Sequence, residues 1–159
     1  MKRGIRNKFA IGGALLVAVV LGSLAYSHCQ IPCGIYDDEA RFTEIAEHIT
    51  TIEKSMKEIE SLSAAQKPNM NQVVRWVNNK ELHADKLSEI ATYYFMAQRV
   101  KLPAQGDVKA QQDYVKKLTL LHQMLVYSMK AKQTTDLDNV AKLRSSLSAF
   151  HDAYFGHTH

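Results

Sequence analysis

Residues 37–59, DDEARFTEIAEHITTIEKSMKEI, decide the fold. Phe42, Ile45, Ile49, Ile52, Met56 and Ile59 recur at alternating steps of three and four. Side chains three and four apart stack on one side of a helix, so these six form one apolar stripe on a helix of roughly six turns. Charged and polar residues fill the remaining faces. Asp37 and Asp38 are suited to open the helix, because a short carboxylate accepts hydrogen bonds from the first-turn N–H groups that have no partner inside the helix. A helix patterned this way must bury its stripe against other elements.

Downstream the same period returns three times. Lys67-Pro68-Asn69 reads as a turn. A second helix is expected from about Asn71 to Val100, with Val74, Val77, Leu87, Ala91 and Tyr94 inward. Pro103 to Gly106 is a second connection. A third helix carries Val108, Val115, Leu118, Leu125 and Met129, and a fourth, capped by Thr134 or Thr135, carries Leu137, Val140, Leu147 and Tyr154. With only 7 Gly and 3 Pro in 159 residues, helix is the natural composition-based expectation. Short connections between amphipathic helices imply an all-α fold, an antiparallel up-and-down four-helix bundle. There is no internal repeat, and a bundle alone carries no activity.

Upstream of the first helix lie two different segments. Lys2, Arg3, Arg6 and Lys8 form a basic start, Ala10 to Leu24 is uncharged and mostly apolar, and Ala25-Tyr26-Ser27 offers small residues at the two positions a signal peptidase inspects. Residues 1–27 are therefore expected to be a secretory leader cleaved after Ser27, which makes His28 the first residue and leaves residues 28–159 as the mature domain. The expected location is outside the cytoplasm, periplasmic or extracellular; a leader that is not a secretory signal would leave the protein cytoplasmic. No adjacent arginine pair supports a twin-arginine route. The alternative is an uncleaved anchor, although the apolar run is short of the ~20 residues a spanning helix needs. The net charge of +4 resides in the leader: residues 28–159 carry sixteen basic and sixteen acidic side chains. A neutral mature domain gives no support for nucleic-acid binding.

Between leader and bundle stands His28-Cys29-Gln30-Ile31-Pro32-Cys33-Gly34-Ile35-Tyr36, which holds both cysteines of the chain. It closely resembles the hook of the nickel superoxide dismutases, His-Cys-x-x-Pro-Cys-Gly-x-Tyr, at every fixed position. Looser similarity runs through the first helix and around Tyr93-Tyr94-Phe95. Nitrogen and thiolate donors suit tetragonal nickel, and anionic donors ease its oxidation. The resemblance implies a nickel superoxide dismutase cycling between Ni(II) and Ni(III), with one nickel per subunit. Its ligands would be the amine and imidazole of His28, the amide and thiolate of Cys29, and the thiolate of Cys33. It also implies a cis bond before Pro32, a homohexamer of bundles, superoxide as substrate, and activation by a processing protease, since an acylated His28 nitrogen is a poor donor; the secretory leader, which would bring a signal peptidase instead, is a departure from the family.

By the same resemblance Tyr36 stands beside the open face of the metal and Tyr94 lies near it, with Tyr93 as the other candidate. An ungapped count puts Glu44 where the family has the glutamate that holds the axial imidazole. Asn79 stands where an arginine follows, and Gln30 where many members carry aspartate. Other readings of the residues remain open. Cys29 and Cys33 could form a disulfide in an exported protein, the hook could bind copper or zinc without turnover, and an anchored bundle could serve as an interaction domain. No Glu-x-x-His pair and no Cys-x-x-Cys-His run points to di-iron or haem. His83, His122 and His151 are expected on separate helices as isolated histidines, and His157-Thr158-His159 as a solvated tail.

Overall fold

A computed structural model describes residues 37–156. The leader, the hook with His28, Cys29, Gln30, Cys33 and Tyr36, and the tail from His157 lie outside the described residues. Four helices follow: α1 (Asp38–Ser63), α2 (Met70–Glu89) continuing into a π-helical segment (Ile90–Arg99), α3 (Val108–Gln133) and α4 (Asp138–Phe155). Among the described residues there is no strand, and no helix there is long and apolar enough to cross a membrane.

Each helix packs on its sequence neighbour and α1 closes the ring against α4. The direction alternates. The start of α1 meets the ends of the π segment and of α4 through Asp38, Arg99 and Tyr154, while Thr135, ahead of α4, bonds Glu60 near the end of α1. This is an antiparallel four-helix bundle.

Local chemistry sets the boundaries. Asp37 accepts from the N–H of Glu39 at 3.0 Å, Asn69 from Gln72 at 3.3 Å and Asp107 from Ala110 at 2.9 Å, each satisfying a first-turn donor. Gly106 and Gly156 take φ of 87° and 77°, a region that costs a side-chain-bearing residue strain but not glycine. The fourth helix departs from expectation. Thr134 ends α3, its N–H bonding Lys130 O at 3.2 Å, and the carboxylate that accepts from the N–H of Asp138 belongs to Asp136, at 2.9 Å.

The stripe of α1 is buried as patterned from Phe42 to Met56, with Ile59 half-buried. In α2 the buried valine is Val73, whereas Val74 is exposed. In α3 the core face is Leu121, Met124, Ser128 and Ala131, about a third of a turn from the expected stripe at ~100° per residue, so Val108, Val115 and Met129 face outward. Small and hydroxylated residues occupy that core face because they pack tightly against α2: Ser128 Oγ donates to Ala84 O at 2.8 Å and accepts from Ser88 Oγ at 3.2 Å. In α4, Val140 is buried as expected, and Leu137 is exposed ahead of the helix.

Among the described residues one lysine lies inside. Lys80 is 4% exposed and its Nζ donates to Lys132 O at 2.7 Å and Thr134 O at 3.0 Å. The last carbonyls of a helix lack intrahelical partners, and Lys80 supplies them for α3. Burial pushes its pKa down.

Candidate functional site

Asp38 is the first residue of α1, five residues after Cys33 and two after Tyr36 in the chain. Antiparallel topology brings the ends of the π segment and of α4 to it. Tyr94 donates its hydroxyl to Asp38 Oδ1 in a short hydrogen bond. Tyr154 donates to Oδ2 at 2.7 Å, and Arg99 reaches the same oxygen at 2.5 Å. Arg99 Nε also donates to the Tyr154 hydroxyl at 3.3 Å. One carboxylate, with a side chain 15% exposed, thus gathers three donors from two other elements.

The electrostatics follow from this arrangement. Burial alone would raise the Asp38 pKa, but the hydrogen bonds from Arg99, Tyr94 and Tyr154 outweigh it and hold the carboxyl below its ordinary value. Burial and the hydrogen bond to Asp38 push the Tyr94 phenol up to about 12. Burial, then the bond to Asp38, also raises Tyr154. Arg99 and Arg41 place guanidinium carbons 5.8 and 5.7 Å from the Tyr94 ring centroid, a favourable arrangement of cation over ring face. Beneath lies an aromatic layer, in which Phe42 sits 4.8 Å from Phe95, 5.3 Å from Phe150 and 5.6 Å from Tyr154, centroid to centroid.

The π segment carries this wall. Thr92 Oγ1 bonds back to Ser88 O at 2.7 Å, and such hydroxyl bonds compete with the α-helical ladder. Hydrogen bonds to the fifth residue back, as from Val100 N to Phe95 O at 2.9 Å, mark a widened helix of the kind often found at functional sites. Sequence periodicity predicts one continuous α-helix here and gives no sign of the widening.

Of the two candidate tyrosines, Tyr94 is buried and bonded to Asp38, while Tyr93 is 56% exposed. Glu44 forms an ion pair with Arg41. Asn79 does not meet Glu44: its Nδ2 donates to Ser55 Oγ at 3.0 Å, eleven residues farther along α1, about 17 Å by helical rise. The expectation of isolated histidines is corrected at two positions. His83 Nδ1 lies 3.0 Å from His48 Nδ1, and His151 Nε2 lies 3.0 Å from Glu39; antiparallel packing of neighbouring helices joins both pairs. The sequence reading used Asp38 only as a possible cap and did not single out Arg99. A signal for both was present, because in an up-and-down bundle the start of the first helix shares an end with the close of the second and fourth.

Among the described residues no group of three or more His, Cys, Asp or Glu side chains could hold a metal. The donor set ahead of them, one histidine and two cysteines within six residues, has the nitrogen and thiolate chemistry that suits nickel.

No curated protein and no solved structure matches the chain significantly. Residues 23–158 match the model of the family described as nickel-containing superoxide dismutase. That match covers most of the chain and agrees with the all-α bundle, and the protein belongs to the nickel-containing superoxide dismutases, nickel-dependent oxidoreductases.

Proposed function

We propose that this chain is exported as a precursor, loses residues 1–27 by cleavage after Ser27, and becomes active when His28 is the N-terminus. The observation that carries this reading is the coincidence of a complete hook motif with a cleavage site, in a chain that the family model matches from residue 23. His28 would hold nickel through its released amine and its imidazole, Cys29 through amide and thiolate, and Cys33 through its thiolate, one nickel per subunit. Bound nickel supplies one-electron exchange with superoxide through Ni(II) and Ni(III).

The chain's own groups do the rest. Tyr36 restricts approach to small anions and orders water, and Tyr94 forms a fixed wall nearby. The role of Tyr94 is supported by its bond to Asp38, because five residues of chain from Cys33 to Asp38 reach at most about 18 Å. Each hydrogen peroxide needs two protons, delivered by water ordered at Tyr36 or by a protonated cysteine ligand. Exclusion of bulk water protects the thiolates from peroxide. The assembly is a homohexamer, located in the periplasm or outside the cell.

The test is N-terminal sequencing, intact mass and nickel content of protein from its native host. A chain beginning His-Cys-Gln-Ile-Pro-Cys with one nickel per subunit is expected. A chain retaining residues 1–27 and lacking nickel would overturn the proposal in favour of a membrane-anchored bundle.

A further inference from the structure

Residues 28–159 are formally neutral, but their charge is unevenly placed. α1 carries seven acidic and three basic side chains, and α3 five basic and one acidic. The two helices are diagonal in the ring, each packed on α2 and α4, so neither neutralises the other within one bundle. One side of the bundle is acidic and the opposite side basic.

The basic side carries an exposed seam. Val108, Val115, His122 and Met129 recur every seven residues along α3. All four are exposed, the three apolar ones at 69%, 50% and 51%. A seven-residue repeat keeps one line of a helix turned toward a neighbouring helix, and this line faces away from the core of its own bundle. Lys109, Lys116 and Lys130 each follow a seam residue by one position, about 100° round the helix, and are exposed.

The acidic side holds a groove. About 360 Å³ of open space lies between α1 and α4, lined by Phe42, Ile49 and Leu147. Thr43, Ala46 and Ser148 also line it, and such short side chains let a helix approach closely. Glu39 lines the groove as well, and Glu47 is exposed one residue past Ala46.

We propose that the α3 seam of one copy of this chain seats in the α1/α4 groove of the next copy. This rests on the homohexamer of the proposed function and names one of its contacts. The apolar seam meets the apolar lining, and the lysine flank meets the acidic side. Two α3 seams laid together would instead set lysines against lysines, and like charges across an interface select against that pairing. The contact joins two different surfaces, so copies add head to tail and close as a ring, where a two-fold contact would stop at a pair.

Light scattering of the mature protein and two double variants decides this. Lys116→Glu/Lys130→Glu and Thr43→Lys/Glu47→Lys are each expected to fall below the native mass while keeping native far-ultraviolet circular dichroism. All four substitutions in one chain should regain it. An equimolar mixture of the two double variants should form a complex heavier than either alone, because the intact seam of one fits the intact groove of the other. If Lys116→Glu/Lys130→Glu does not fold, Met129→Gln takes its place in the mixture.

Native mass in the groove variant would overturn the proposal in favour of a contact between two α3 helices or an occupant of another kind. A mixture no heavier than its parts would overturn it too. A native protein with the mass of one subunit would remove the hexamer, and this contact with it, whereas nickel content and dismutation would still stand.

Discussion

At the scale of single residues, the proposed chemistry and the fold are carried by different side chains. Cys29 and Cys33 precede the first helix, whereas the core cluster is built from apolar residues of the four helices. Cys29→Ser or Cys33→Ser is therefore expected to bring nickel-dependent dismutation to background while the far-ultraviolet circular dichroism of the mature protein stays native; native turnover in either variant would remove the thiolate from the mechanism. The family was legible because a rare residue pattern, the run from His28 to Tyr36, carries the resemblance. Asp38 was not, because its partners lie 56, 61 and 116 residues away and only the assembled bundle brings them together. Lys80 was illegible for the same reason: a lysine on a helix reads as solvated until the carbonyl ends of a neighbouring helix are seen to surround it.

At the scale of elements, periodicity located the helices but misjudged one face. In α1 five large apolar residues from Phe42 to Met56 dominate the buried face, with His48 and Ser55 beside them, so pattern and burial agree. In α3 the inward positions include Ser128 and Ala131, which add little to any hydrophobic signal; of the expected stripe, Val108, Val115 and Met129 lie outside, while Leu118 is half-buried and Leu125 packs against the core from the side. Leu121→Ala is expected to lower unfolding stability in urea by about 2–5 kcal/mol, as for other buried leucines. Val115→Ala should stay within about 0.5 kcal/mol of native. The reverse order would restore the face read from the sequence.

The His48–His83 contact joins α1 to α2. His48 Nε2 is buried without a partner among the described residues, so the 3.0 Å contact with His83 Nδ1 is the hydrogen bond that its ring makes there, one nitrogen donating and the other accepting. Protonating both rings would oppose two donors across 3.0 Å. Burial, followed by the charges of His83 and Lys86, lowers the pKa of His48, while Glu44 and Glu47 act in the opposite sense; burial and Lys86 lower that of His83. A depressed histidine pKa means that the unfolded chain takes up protons first as pH falls. The contact's stability is thus intact above the ordinary histidine value of about 6.5 and lost below it. The thermal midpoint of apo-protein should drop between pH 7.5 and 5, and His48→Leu/His83→Leu should flatten that drop; an unchanged slope in the double variant would acquit the pair.

At the scale of the whole molecule, the outward apolar residues of α3, together with Leu82, Tyr93 and Leu102, are more than a bundle needs for its own core. The proposed hexamer would give some of them partners. Light scattering of the mature protein is expected to return six times the subunit mass, and the mass of one subunit would dispose of the hexamer. Function is separable from this fold: the bundle is common to many chemistries, and the proposed chemistry belongs to a nine-residue segment attached ahead of it.

That attachment has an order in time. Asp38, the opening residue of the first helix, is closed over by Tyr154, two residues before the left-handed glycine that ends the last one. A chain made from its N-terminus adds Tyr154 116 residues after Asp38. The closed carboxylate is therefore the mark of a chain that has reached its fourth helix. One cut short of that tyrosine would carry every proposed nickel ligand but leave Asp38 with two of its three donors.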